Sequence, residues 1–163
     1  MTTDFIEKQI TLKAPPEKVW RALSDSTEFG RWFGMRFDAP AFVAGRRITG
    51  RIAPTVVDPE VARMQKPHEG APVELVIDRI EPMTLFSFKW HPYGIDKAYD
   101  YSQEPMTLVT FMLEPVAGGT HLTLTETGFE NLPPFRRAHA FAANDGGWAK
   151  QMELIGGWLA YHA

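Results

Sequence analysis

The chain has 163 residues, 44% of them hydrophobic, and its 17 Lys and Arg against 20 Asp and Glu give a net charge of -3. That is enough apolar material for one core, so one domain over residues 1–163 is expected, and too little positive charge for a broad phosphate-binding surface, which excludes nucleic acid as a partner. The absence of cysteine excludes disulfides, thiolate chemistry and sulfur-liganded zinc, and no apolar run is long enough to span a bilayer, so a cytoplasmic protein is expected.

Phe5 to Lys13 places Ile6, Ile10 and Leu12 on one parity, the pattern of a half-buried strand. Ala14, Pro15 and Pro16 end it, and the prolines open a helix whose apolar face is Val19, Trp20 and Leu23. A second short helix is expected over Ser26 to Trp32, after a run of residues that favour caps and turns. Phe42 to Ile52 reads as strand, turn and strand about Gly45. Ala53 to Pro72 holds Pro54, Pro59, Pro67, Gly70 and Pro72, and reads as an irregular surface insertion.

Val73 to Ile80 and Leu85 to Trp90 are strands joined at Glu81, Pro82 and Met83, and the second puts Phe86, Phe88 and Trp90 on one face. After a loop from His91 to Pro105, the segments Thr107 to Glu114 and His121 to Thr127 form a hairpin around Gly118 and Gly119. From Phe135 to His162 the spacing of Ala138, Phe141, Trp148, Met152, Ile155 and Leu159 predicts a long helix with one apolar stripe. Strands joined by short turns, with the helices segregated, give an α+β class with an antiparallel sheet.

Asp145 interrupts the apolar stripe, just ahead of Gly146 and Gly147. Two interior helical glycines cost about 1 kcal/mol each relative to alanine, so a helix restart capped by Asp145, or close packing of the glycines on the sheet, is expected. The alternative is that Asp145 faces a ligand. Glu126 shares parity with Leu122 and Leu124 and points inward, where burial demands a cation or a protonated, neutral acid, unless the strand end lets it reach solvent. His91 faces away from Phe88 and Trp90 and reads as surface, whereas Tyr93 and Tyr101 of the same loop are open to ligand contact, and Arg136 and His139 to a place at a cavity mouth. The remaining histidines have no metal-ligand spacing, and no cofactor is expected.

The order of several short motifs resembles the helix-grip proteins related to the START domain and birch-pollen allergen, in the branch similar to the C-terminal domain of the Hsp90 ATPase activator. Its carriers are Ala14 to Trp20, Trp32 and Phe33, Ile80 to Pro82 leading to Phe88, Lys89 and Trp90, then Gly118 to Leu124, Gly128 and Phe129, and Gly147 and Trp148. The loop from His91 to Gly94 and on through Tyr101 to Pro105 is similar to a subgroup of small bacterial members. The resemblance implies a curved antiparallel sheet wrapped around a long C-terminal helix, with two short helices after the first strand and a hydrophobic cavity between sheet and helix.

In that fold the residues converging on the cavity are Trp32, Phe37, Phe88, Trp90, Phe111, Phe141, Trp148 and Met152, with Tyr93, Tyr101, Glu126 and Asp145 completing the ligand-binding set. The expected function is noncatalytic binding of a small hydrophobic or aromatic molecule, as monomer or homodimer. One alternative is a cyclase or dehydratase using Glu126 or Asp145 as general acid and base. The other is a chaperone-contacting module, although the resemblance reaches only the activator's C-terminal part and not its N-terminal chaperone-binding domain.

Overall fold

A computed structural model describes residues 5–94, 96 and 98–162. The alternating first segment is strand β1 (Phe5–Leu12), with Ile6 and Leu12 buried. Pro16 sets the first turn of helix α1 (Pro16–Ser24), and Asp25 caps α2 (Ser26–Phe33) by accepting from the Glu28 amide at 2.9 Å. Gly34 ends α2 at φ 104, a left-handed conformation that suits glycine, and turns the chain into β2 (Met35–Phe37).

β3 (Arg47–Ile52), α3 (Pro59–Gln65), β4 (Pro72–Glu81), β5 (Leu85–Trp90), β6 (Thr107–Val116), β7 (Gly119–Thr127) and α4 (Pro134–Tyr161) follow. The strands form one sheet in the order β1-β7-β6-β5-β4-β3-β2, antiparallel at every pairing. A bulge between Ile77 and Arg79 bends β4. Ser87 of β5 fills it, accepting from the Arg79 amide at 3.1 Å and donating to Asp78 Oδ2 at 2.9 Å, which satisfies a buried hydroxyl.

Phe29 of α2 is the centre of the core. Its ring lies within 6.3 Å of Trp32, Phe33, Phe37, Phe42, Phe86, Phe88 and Phe111, mostly edge to face, the geometry that the aromatic quadrupole favours. Against this mass lies the C-terminal half of α4, with Trp148, Met152, Leu154, Ile155, Trp158 and Leu159 buried. The α+β helix-grip architecture expected from the sequence is the one observed.

Three local expectations are corrected. The strand expected at Phe42 is absent: Phe42 sits in a loop that stacks its ring on Phe86 at 5.1 Å, gaining burial without a ladder, and the sheet edge is formed by Met35–Phe37. The supposed irregular insertion contains α3 and a 3-10 turn over Lys66–His68. Asp58 caps α3 by accepting from the Glu60 and Val61 amides, and Pro59 occupies the first turn, where its missing N–H costs nothing.

The third correction concerns α4, which runs unbroken for 28 residues through Gly146 and Gly147. Asp145 caps nothing; it forms a 2.9 Å ion pair with Lys8 of β1. A Cβ built at Gly146 or Gly147 would meet nothing within 4 Å, so close packing is not the reason for either glycine. Ala138 is exposed, and Ala140 takes the buried place on the first turns.

Candidate functional site

Where α4 passes over β5 and the end of α2, the packing opens into a cavity of about 520 Å³. Phe33 and Gly34 at the end of α2, with Met35, Ile52 and Val73 of β2, β3 and β4, form one side. Val61, Met64 and Gln65 of α3, with His68 after it, close another side, so the segment read as an insertion is a wall of the cavity. The loop from His91 to Gly94 and the α4 residues Ala143, Asn144, Gly146, Gly147, Trp148, Lys150 and Gln151 complete it.

Phe33, Trp90 and Trp148 form a triangle of rings, with centroids 6.1 Å apart for Phe33 and Trp90 and 5.7 Å for the other two pairs. Both indole N–H groups are turned to Glu126. Trp90 Nε1 donates to its Oε2 at 2.8 Å and Trp148 Nε1 to its Oε1 at 2.8 Å, so the cavity meets the carbon surface of these rings. Thr107 Oγ1 also donates to Oε2 at 2.6 Å, and Asn144 Nδ2 lies 2.9 Å from Oε1 and 3.2 Å from Oε2.

Glu126 is fully buried, as its strand parity implied, and does not reach solvent at the strand end; it is met by four neutral donors and by no cation. Fixed donors replace the lost hydration of the acid, and every one of them belongs to a different element or position of the wall. Glu126 itself lies behind the cavity surface and holds the wall together.

The twelve residues singled out from sequence divide accordingly. Trp90, Tyr93 and Trp148 line the cavity. Trp32, Phe88, Phe111 and Met152 are instead buried in the core, and Phe37 packs on Phe29 and Phe42 at the far end, because the aromatic mass around Phe29 fills that part of the sheet's curve. Phe141 lies edge-on to Phe129 at 5.2 Å, off the cavity. Tyr101 belongs to a second pocket with Tyr93, Asp96, Tyr99, Phe135, Arg136 and His139, and Asp145 is drawn away by Lys8.

Arg136 organises that second region. It donates to both oxygens of Glu104 at 3.0 Å and to the Pro92 carbonyl at 3.0 Å, and lies 4.8 Å over the Tyr101 ring. One guanidinium thus ties both ends of the long loop to α4. Burial alone would raise the Glu104 carboxyl, but the hydrogen bonds from Arg136 and Tyr99 outweigh it and hold the group below its ordinary value.

His91, read from sequence as surface, is in the cavity wall, and burial pushes its imidazole below the usual histidine value. Its Nδ1 is buried without a hydrogen-bond partner. Tyr93, two residues on, has φ 52, an uncommon conformation for a side chain of its size, and borders both pockets. The signal for α3 that the sequence reading missed is the helix start Asp58-Pro59-Glu60, a capping residue followed by a first-turn proline. Asn144 and Gln151, four residues before and three after Trp148, were readable as the same helix face.

The family model described as activator of Hsp90 ATPase homolog 1-like protein matches residues 13–159. The chain belongs to this family. Among solved structures, protein MLL2253 from Mesorhizobium loti is similar over 98% of both chains at 24% identity, with a TM-score of 0.70. The Aha1 dimer from Colwellia psychrerythraea shares 18% identity over 99% of this chain and 98% of its own, with a TM-score of 0.67. DynU16, a putative protein in the dynemicin biosynthetic locus, shares 22% identity over 97% of this chain and 48% of its own, with a TM-score of 0.66. At such identities these structures speak for the fold alone. Comparison with curated protein sequences gave no significant match. Among the described residues no helix is long and apolar enough to cross a membrane, and no group of three or more His, Asp or Glu is placed to hold a metal.

Proposed function

We propose that the protein binds a small hydrophobic or aromatic molecule in the cavity under α4 and carries it without chemical change. The observation that carries this reading is the pair Gly146 and Gly147. Each weakens a continuous helix by about 1 kcal/mol relative to alanine, and nothing packs against either. Stability gives no reason for two such residues; the space they leave in the cavity wall does. A cavity of about 520 Å³ walled mainly by aromatic, aliphatic and thioether groups suits a small apolar ligand.

The carboxylates on which the catalytic alternative rests, Glu126 and Asp145, are not among the residues that line the cavity. Glu126 has its oxygens engaged by donors behind the wall, and Asp145 pairs with Lys8. A chaperone-contacting role rests on the family description.

Native mass spectrometry of protein purified gently from the cells in which it occurs tests the proposal. A small molecule retained by the unaltered chain and lost from Gly147→Phe, which adds a ring at a position lining the cavity, is the expected result. Protein that is repeatedly bare, or an adduct held equally by the variant, would overturn it.

A further inference from the structure

Resting on that reading, the polar atoms of the wall say what kind of apolar molecule fits. Each amide in the wall is oriented by the hydrogen bonds it makes. Asn144 donates from Nδ2 to Glu126, to Oε1 at 2.9 Å and to Oε2 at 3.2 Å. Gln65 donates from Nε2 to the Phe33 carbonyl at 3.0 Å and accepts the Thr55 amide on Oε1 at 2.8 Å, leaving neither end free. Gln151 also donates from Nε2 to the Phe33 carbonyl, at 3.0 Å.

Two amides therefore keep one end unused, and in both the unused end is an oxygen. Gln151 Oε1 is buried beneath the wall without a partner. Asn144 Oδ1 has no donor among the described residues and is not among the buried unpaired atoms, so it is accessible, on a residue that lines the cavity. It sits beside Trp148 and Trp90 through their shared anchor on Glu126.

We infer that the cavity selects a neutral aromatic or apolar ligand bearing a hydrogen-bond donor, a hydroxyl or N–H, which Asn144 Oδ1 receives while the rings of Phe33, Trp90 and Trp148 take the apolar body. Glu126 is the positioning residue: by accepting from Asn144 Nδ2 on both oxygens it turns the amide carbonyl the other way, and so sets the selectivity from behind the wall. The competing charge is Lys150, half-exposed at the cavity's edge and 3.7 Å from Glu153, which would favour an anion.

Calorimetric titration with naphthol, its methyl ether, naphthalene and naphthoate separates these chemistries on one ring system. The unaltered protein is expected to bind naphthol about five- to tenfold more tightly than the ether, the gain of one hydrogen bond over an acceptor-only analogue. In Asn144→Leu, and in Asn144→Ala as a second variant that keeps the other three donors to Glu126, that ratio falls to about one while naphthalene still binds. Equal binding of naphthol and ether by the unaltered chain, an unchanged ratio in a folded variant, or naphthoate as the tightest ligand would overturn the inference and leave the cavity's binding role standing. Failure of all four probes to bind would overturn both.

Discussion

Glu126 shows what one residue can decide. Four donors converge on a fully buried side chain, so an isosteric amide there turns an N–H₂ group toward at least one donor whichever way it lies. Leaving a buried donor unpaired costs about 1–3 kcal/mol, so Glu126→Gln is expected to lose about 2–3 kcal/mol in urea unfolding and to change the near-ultraviolet circular dichroism of Trp90 and Trp148. An unchanged midpoint and spectrum would show that the four bonds are not what holds the wall. The inward direction of Glu126 was legible from the parity of β7. Its partners were not, because Trp90, Thr107, Asn144 and Trp148 lie on three separate stretches of chain that only the folded sheet and helix bring together.

At the scale of the element, α4 carries two demands in one helix. Its C-terminal half packs on the core, while its middle, at Gly146 and Gly147, keeps a space open. Alanine at either glycine meets no neighbour, so Gly146→Ala and Gly147→Ala are expected to stabilise the protein by about 0.5–1 kcal/mol and raise Tm by about 1–4 °C. A fall in Tm would mean that these positions carry strain or contacts that the geometry does not show. The helix was readable from its apolar spacing, and the wish for a break at the glycines followed from their helix propensity. Burial of the later turns overrode that propensity and kept the helix whole. With α3 the error ran the other way: counting prolines hid the cap at Asp58 and the harmless first-turn place of Pro59.

For the molecule as a whole, stability should respond to acid through His91. Burial lowers its folded-state pKa below the ordinary value near 6.5, so below about pH 6.5 the unfolded chain takes up a proton that the folded chain resists. Stability therefore falls as pH drops through that region, and His91 has no such effect above it. Glu104, also held below its ordinary value, adds a loss only as pH falls below about 4.3. Urea midpoints at pH 7.5 and 5 are expected to differ in the unaltered protein and to draw together in His91→Gln. Equal midpoints in the unaltered chain would remove the buried imidazole from the account.

Local pattern by itself determined the strands other than β2, the long helix and the inward face of β7, because alternation and helical spacing are properties of neighbouring residues. The motif order carried the resemblance to helix-grip proteins. Tertiary structure decided where the volume went. Trp32, Phe88 and Phe111 are as apolar as Trp90 and Trp148, and no local rule separates core from cavity wall. That division arises because Phe29 draws the aromatic rings together at one end of the curved sheet, while Gly146 and Gly147 leave the other end unfilled. Packing is a property of the whole assembly, and the cavity exists only as what that packing does not occupy.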